Sequence, residues 1–409
     1  MTIINTDFLD GGKQIKIKKN IELDENKNTN NYDFFSSGSY GCTMYPKMKC
    51  DGLKSKQKKP NYMSKLSIEG FYSNNEYEIG QKLMKLKQNN LHDSIINHIN
   101  FVEKKCSIKR KKININTNKY DCSILESDKY NHKEDFVLFQ LQYIPSKEIS
   151  KYLNANFNIK LLLRYYFFIL KCIQFLSKHN IIHHDLHMSN VIVDKKKEFH
   201  LIDFGIAIDY NNCFKNQELN MNYIKNILIT FDPAWEYWSI EYHILCYFVF
   251  KKTELTKKEL QKIINTYYHK NKIFNHFFKN MKNYKKIVLD FYSEKFVNKT
   301  SINKHIKEIL ENSHKTWDIY QVNYVLLVLI RYYDIKNIEN IINLCKIGIH
   351  YDYTKRHNVD FFINTIISIL TNNRKMEHSI YDSDNIQKEP SKEDLQTITL
   401  SKKTFLNSV

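Results

Sequence analysis

Two short polar motifs between apolar segments at residues 181–205 limit most strongly what this chain can fold into. The first, IIHHDLHMSN, occupies residues 181–190 and contains three histidines, one aspartate and one asparagine. The second, NVIVDKKKEFHLIDFG at 190–205, indicates two short strands joined by a charged turn and ending in Asp203-Phe204-Gly205. Any fold for this chain must place an aspartate in a loop close to a second aspartate at a strand end.

These residue types are compatible with two kinds of chemistry. A zinc site would use His183 and His187, which share one face if the segment is helical, but the sequence after Ile-Ile is more typical of a loop and offers no obvious third ligand. Phosphoryl transfer fits better: Asp185 would serve the acceptor hydroxyl, and Asn190 and Asp203 would hold Mg²⁺.

The two motifs resemble those of the protein kinase superfamily. The HRDLxxxN motif is written here as HHDLHMSN at 183–190, and the DFG motif stands at 203–205. The resemblance implies ATP and Mg²⁺ as cofactors. In the SGSYGC loop, the Ser-Lys before Leu66 and the KTWD segment at 315–318, the chain resembles kinases of large cytoplasmic DNA viruses.

An upstream segment resembles the glycine-rich loop that covers the phosphates of ATP. In SSGSYGCTMYP at 36–46, serine and two glycines stand at the three glycine positions, and threonine replaces the usual valine. The residues that this resemblance assigns to ATP are Ser36, Ser37, Gly38, Ser39, Tyr40, Gly41 and Thr43.

The resemblance also implies a phosphate-binding lysine and its partner. Lys65 in NYMSKLS would pair with the α and β phosphates, and Glu76 on the following helical segment would hold it, with Glu78 as the alternative. In FQLQYIPSKEISKYL at 139–153, Leu141 takes the gatekeeper position, and Gln142 to Ile144 form a hinge whose backbone would bind adenine.

Three later segments match structural motifs of the same superfamily in the right order. PAWEYWSIE at 233–241 places Glu241 at the end of an activation segment that begins at Ile206. Asp318 would brace the backbone of the catalytic loop, and Arg356 would pair with Glu241. The resemblance spans about residues 32–370.

The fold class expected is α+β, a bilobal kinase-like fold. Residues 32–144 are β-like, with alternating polarity at 135–144, and helical periodicity begins with the segment at 159–179. The predicted units are a flexible tail at 1–30, a β-rich N-lobe at 31–144, a helical C-lobe at 145–374 and a flexible tail at 375–409. A helical insertion is expected at about 243–315, before helix F.

Two departures from the kinase pattern leave the acceptor open. His184 replaces the arginine that pairs with an activation-loop phosphate in many kinases, and His187 replaces the lysine typical of serine/threonine kinases. D-x-H-x-x-N is also the form found in aminoglycoside- and choline-kinase-like enzymes. We predict a serine/threonine protein kinase with Asp185, Lys65, Glu76, Asn190 and His187 in its catalytic set. A small-molecule kinase and a pseudokinase scaffold remain the alternatives.

Composition bears on the binding partners, the redox state and the location of the protein rather than on the reaction. The net charge of +18, from 62 Lys+Arg against 44 Asp+Glu, fits an AT-rich coding bias better than a nucleic-acid patch, so nucleic acid stays a secondary partner beside ATP and unknown protein substrates.

The eight cysteines form no CxxC pair, which predicts reduced thiols. Without a signal pattern or a membrane-spanning apolar run, we expect a cytoplasmic protein with no membrane partner. The oligomeric state stays open.

Overall fold

The computed structural model describes residues 33–38, 41–45, 48, 50, 61–89, 93–113, 122–126, 133–228, 231–269 and 271–369, with only the backbone described at 33–38, 112, 123 and 126. Both predicted tails, 1–30 and 375–409, lie outside the described residues. So do Ser39 and Tyr40 of the predicted glycine-rich loop.

The first part of the chain forms a five-stranded antiparallel sheet in the order β1-β2-β3-β5-β4. The strands are β1 Asp33–Gly38, β2 Gly41–Tyr45, β3 Tyr62–Ser67, β4 Lys104–Lys109 and β5 Asp135–Gln142. Helix α1, Phe71–Asn89, follows β3. The alternating segment predicted at 135–144 is therefore confirmed as a strand.

Alternation places the side chains of β5 on two different faces of this sheet. Val137, Phe139 and Leu141 lie on the face that also carries Lys65 of β3. Phe136 and Leu138 lie on the opposite face, in a separate small core with residues of β2, β3 and β4 and with the short helix α2, Ser123–Glu126. The first face is the one that points toward the functional residues.

Two disulfides hold the core on the opposite face, and the prediction of reduced thiols is wrong for four of the cysteines. The bonds join Cys42 to Cys122 and Cys50 to Cys106, across sequence separations of 80 and 56 residues. The register places Cys42, Leu66, Leu138 and Cys106 in one row across β2, β3, β5 and β4. Each bond joins a cysteine of the sheet to one outside the strands and far away in the sequence, so short spacings such as CxxC do not reveal it. The other four cysteines are free and buried.

The disulfides predict a definite thiol count. In protein purified and denatured without reductant, we expect a thiol reagent to modify four cysteines, and eight after reduction. Because a crosslink across a separation of 80 residues restricts the unfolded chain, Cys122→Ala should lower the free energy of unfolding by about 2–4 kcal/mol. Eight reactive thiols before reduction would show that the bonds do not form.

Short strands and a long buried helix begin the second, larger part of the chain. They are β6 Ser146–Glu148, α3 Ile149–Asn156, α4 Ile159–Lys178, β7 Ile181–Ile182, β8 Val191–Asp194, β9 Phe199–Leu201, β10 Ile208–Asp209, β11 Phe214–Lys215, β12 Glu218–Leu219 and α5 Met221–Ile227. Asn158 caps α4 by accepting a hydrogen bond from the Leu161 N–H at 2.8 Å. The strands β6-β8-β9 form a small sheet, and β7 pairs with β10. The loop 183–190 is thus held between β7 and β8.

Helices make up most of the remainder. They are α6 Ile240–Lys251, α7 Lys257–His269, α8 Lys272–Phe277, α9 Met281–Phe296, α10 Ile302–Ser313, α11 Trp317–Tyr332 and α12 Glu339–Gly348, and residues 359–369 are also helical. The segment at about 243–315 is helical, as expected, while its status as an insertion stays a prediction. No helix within the described ranges is long and apolar enough to cross a bilayer.

One large core connects the two parts. Ile79 and Leu83, one turn apart on α1, are buried in the same cluster as the apolar residues of α4 and α11. A parallel bridge between Ile99 and Leu201 and a 2.9 Å hydrogen bond from the Asn100 N–H to the Leu201 carbonyl add a direct backbone link. Because α1 packs on both parts, it can place one of its polar residues beside the loops of the larger part.

Candidate active site

A buried ion cluster joins β3, α1 and the segment after β9. Lys65 Nζ lies 2.8 and 3.1 Å from the two carboxylate oxygens of Glu76 and 3.0 Å from Oδ1 of Asp203. The side chains of Lys65 and Glu76 are 9% and 5% exposed, whereas that of Asp203 is 43% exposed. Glu78, the alternative partner, is exposed on α1. The predicted contact of Lys65 with Glu76 is confirmed.

The charges in this cluster support one another. Burial opposes the charge on Lys65, but Asp203 and Glu76 outweigh this effect and raise the pKa of Lys65 above its usual value. Partial burial opposes the charge on Asp203, but Lys65 and the backbone N–H of Gly205 hold the pKa of Asp203 below its usual value. Lys65 therefore stays cationic and Asp203 stays anionic at neutral pH.

A second cluster forms within the loop between β7 and β8. The Asn190 side-chain amide donates to the carbonyl oxygen of Asp185 at 2.8 Å and to its carboxylate at 2.9 Å. His187 Nδ1 accepts from the Ser189 N–H at 3.2 Å, so that its proton lies on Nε2, 3.4 Å from Oδ1 of Asp185. Burial opposes ionisation of Asp185, but His187 and His183 outweigh it and lower the pKa of this carboxyl.

The two clusters lie close to each other. Asp203 acts electrostatically on Asp185, and the Ile202 N–H donates to the Asn190 carbonyl at 3.0 Å. Lys65 binds only Oδ1 of Asp203, and Asn190 donates with its nitrogen, which leaves one oxygen of each side chain for a cation. Mg²⁺ prefers such hard oxygen ligands, so these residues fit a magnesium site.

The backbone of this loop is fixed from α11. The carboxylate of Asp318 accepts from the N–H groups of His183 and His184 at 2.8 and 2.9 Å, which confirms the predicted brace. Gln321, one turn later on α11, accepts from the Leu186 N–H and donates to the His184 carbonyl, both at 2.8 Å. Sequence reasoning missed Gln321, although its i,i+3 spacing from Asp318 was a usable signal.

His183 is unsuited to a zinc site shared with His187. Its Nε2 lies 3.1 Å from the Ile202 carbonyl, and its Nδ1 accepts from the Asp185 N–H at 3.3 Å. Both ring nitrogens are used by the backbone, and the residue is fully buried. His183 therefore holds the loop in place rather than a metal.

His184 is enclosed by aromatic rings. Its ring stacks on Trp238 with centroids 5.1 Å apart, and Tyr242 and Trp317 lie at 4.4 and 5.7 Å. Its φ of 63° is unusual for a non-glycine residue and is maintained by the bonds to its N–H and carbonyl groups. Burial lowers the pKa of His184 to about 3. It is therefore neutral and cannot replace the arginine that pairs with a phosphate.

This burial predicts a pH-dependent loss of stability. The pKa of His184 falls from 6.5 to about 3 on folding, so the unfolded chain binds the extra proton between these values and stability decreases as the pH falls. Between about pH 7 and pH 5, we expect wild type to lose about 2 kcal/mol more than His184→Phe. Denaturant titrations at both pH values measure the difference. The exposed His357, changed to phenylalanine, is the control, and equal losses in wild type and His184→Phe would contradict the prediction.

The end of the predicted activation segment is anchored by a buried ion pair. Nη1 and Nη2 of Arg356 lie 2.6 and 2.9 Å from the two carboxylate oxygens of Glu241, and both side chains are fully buried. This pairing was predicted and is confirmed.

The start of the segment is tied to α1: Asn75 donates to the Ala207 carbonyl at 2.7 Å, and Lys82 lies 2.8 Å from Asp209. Nothing in the sequence pattern indicated these last two contacts.

The predicted hinge lies between β5 and β6. Gln142 ends β5, and its carbonyl accepts from the Asn100 side chain at 3.1 Å. The carbonyl of Ile144 accepts from the Ser146 hydroxyl at 2.9 Å. Leu141 pairs with Met63, two residues before Lys65 on the same face of β3. The hinge therefore begins opposite Tyr62, three residues before Lys65, and its adenine-binding role stays a prediction.

The predicted glycine-rich loop corresponds to the hairpin of β1 and β2. Ser36 and Ser37 pair with Thr43 and Cys42, and Gly38 pairs with Gly41. Thr43 also pairs with Lys65, which places β2 beside the ion cluster. A Cβ at Gly41 would lie 2.5 Å from the Leu66 carbonyl oxygen, so this glycine is required by backbone packing.

Comparisons with known proteins agree with this geometry. The family model for the protein kinase domain matches residues 74–357, so Lys65 and the hairpin precede the match. Similar proteins include two from Dictyostelium discoideum: "Dual specificity protein kinase zakA", 30% identical over 97 residues, and "Probable serine/threonine-protein kinase mkcD", 41% identical over 69 residues. The alignments cover 22% and 16% of this chain, and 12% and 10% of those proteins.

Proposed function

The chain belongs to the protein kinase family, and on that premise we propose that it is an active serine/threonine protein kinase. The reaction would transfer the γ-phosphoryl group of ATP to hydroxyl groups of proteins. The observation that carries the proposal is that Lys65, bound to Glu76, contacts Asp203, and that Asp203 in turn acts electrostatically on Asp185, the partner of Asn190. The groups expected of phosphoryl transfer are present: a cationic Lys65, the ionised carboxylates of Asp185 and Asp203, and the neutral amide of Asn190.

Each of these side chains would have a role in the reaction that agrees with its surroundings. Lys65, kept cationic by two carboxylates, would bind the α and β phosphates, and Glu76 would fix its position. Asp185, kept ionised, would orient the acceptor hydroxyl and take up its proton. Asn190 and Asp203 would hold Mg²⁺, which supplies charge neutralisation of the phosphates. His187 would orient the Asp185 carboxylate through Nε2.

Two observations favour a protein acceptor over a small molecule. The Glu241–Arg356 pair fixes the end of a segment, 206–234, that is long enough to receive an extended substrate. The matched relatives are described as protein kinases, one of them of the serine/threonine type. The kinship with viral kinases, the helical insertion and a cytoplasmic location are further predictions.

A transfer assay tests the proposal. Purified protein with Mg-ATP labelled at the γ-phosphate is offered a basic protein, a casein-like acidic protein and a panel of small alcohols. We expect label on serine or threonine of a protein, and none with Asp203→Asn. Label on the alcohols alone would move the chain to the small-molecule kinases. An absence of both transfer and nucleotide-dependent thermal stabilisation would leave a scaffold.

A further inference from the structure

A second polar cluster, which the proposed catalysis does not use, lies where the two parts of the chain meet. His98 ends the short 3-10 helix Ser94–His98 that follows α1, and Glu198 and His200 belong to the turn before β9 and to β9 itself. One ligand atom of each residue lies within 4.8 Å of the others. The geometry points to a transition-metal site in which these three side chains bind one Zn²⁺.

The orientation of His200 is set by a carboxylate. Its Nε2 lies 3.3 Å from Oδ2 of Asp194, whose other oxygen accepts from the N–H groups of Lys196 and Glu198 at 2.8 and 2.9 Å. The contact requires the proton on Nε2 and leaves the lone pair on Nδ1. A carboxylate on the far nitrogen is the arrangement by which proteins orient metal-binding histidines.

The free nitrogens of the two histidines lack other partners. Nδ1 of His98 and Nδ1 of His200 are both buried and have no hydrogen bond among the described residues. The rings face each other with centroids 5.3 Å apart. Two buried imidazole nitrogens without partners destabilise the fold by their lost hydration. A cation between them satisfies both at once.

The ligand set selects the class of metal. Two imidazoles and one carboxylate suit Zn²⁺, with water in the fourth position, whereas Mg²⁺ prefers oxygen ligands throughout. Ligands about 2.0–2.1 Å from zinc lie roughly 3.3 Å apart in a tetrahedron, so atoms that are now up to 4.8 Å apart must approach each other by up to about 1.5 Å. Glu198 is exposed, and its side chain is free to turn inward.

The site would join two segments that already touch. The Ile99–Leu201 bridge and the hydrogen bond from Asn100 to Leu201 lie directly beside the histidines. A bound ion would therefore crosslink the connection after α1 to β9, and β9 leads within two residues to Asp203. Binding to the folded state alone raises its stability, so zinc should raise the unfolding temperature.

Zinc binding to the full chain tests the site without any activity assay. Protein stripped with a chelator is titrated with Zn²⁺ against a chromophoric zinc indicator, and its unfolding temperature is followed by scanning fluorimetry. Reductant is omitted, because reduced Cys42 and its partners would supply thiolate ligands. We expect one zinc per chain, a rise in unfolding temperature, and no competition from excess Mg²⁺.

Variants separate this site from incidental binding. His98→Ala and His200→Ala should each weaken binding at least about 100-fold, Glu198→Gln about tenfold, and Asp194→Asn about 10–100-fold. His357→Ala, at an exposed histidine elsewhere, should bind as wild type does. Glu198→Gln changes an exposed side chain and so keeps the fold testable if a histidine variant unfolds. The proposal is overturned if wild type binds no zinc, or if all four variants bind as tightly as wild type.

Discussion

Asp185→Asn is expected to lower kcat by about 10²–10⁴-fold while leaving the affinity for nucleotide unchanged. The asparagine keeps the shape of the side chain and can still accept from Asn190, but it cannot take up a proton from the acceptor hydroxyl. The loss should therefore appear in the chemical step alone. Steady-state transfer to a protein acceptor, together with nucleotide binding followed by thermal shift, measures the two quantities separately.

The matched control is Asp290→Asn on α9, where the aspartate is exposed. Its kcat should remain within twofold of wild type, since surface substitutions away from a site change little. Lys65→Met is the informative contrast, because it removes the cation expected to bind the phosphates and should weaken nucleotide binding as well as transfer. An Asp185→Asn protein that keeps wild-type kcat would refute the assignment of Asp185 as the base.

The candidate site was predictable where the sequence resembles a known motif. Asp185, Asn190 and Asp203 lie within nineteen positions and match the two motifs at 183–190 and 203–205. The contacts of Lys65 with Glu76 and of Arg356 with Glu241 were expected from the same resemblance. The neutral contacts were not predictable, because the amide of Asn75 on the Ala207 carbonyl looks in sequence like any polar surface residue.

In the fold as well, local features were predictable from the sequence, whereas contacts between distant segments were not. Alternation at 135–144 and the apolar pattern of α4 are local signals, and both elements formed as expected. The Cys42–Cys122 bond depends instead on how β2 meets a segment 80 residues later, which no local pattern encodes. Hence the predicted reduced state was wrong for these cysteines, although a β-rich first part of the chain was expected.

The contacts around His184 and α1 indicate how the segment 206–234 is held in position. A neutral His184, packed against Trp238, cannot receive a phosphate, yet the segment is already tied down by Asn75 at its start and by Arg356 at its end. The glutamate that holds Lys65 is the neighbour of Asn75 on α1. The position of the lysine is therefore linked to the segment through packing and hydrogen bonds rather than through an added charge.

Breaking the Arg356–Glu241 pair is expected to have the largest effect on stability. Arg356→Met leaves the Glu241 carboxylate buried without its counter-ion and should lower the free energy of unfolding by about 3–5 kcal/mol. The arginine also donates to the His350 carbonyl at 2.7 Å and lies 5.1 Å over the ring of Tyr320, so it joins three segments. Denaturant unfolding monitored by intrinsic fluorescence measures the loss.

The exposed pair Lys307–Glu311, 3.9 Å apart and about half exposed, is the matched control. Lys307→Met should change stability by less than about 1 kcal/mol, because solvent screens such pairs. The double variant Arg356→Met with Glu241→Gln separates the causes: if it is more stable than Arg356→Met alone, the loss comes from the stranded carboxylate. If Arg356→Met behaves like Lys307→Met, the buried pair does not anchor the segment.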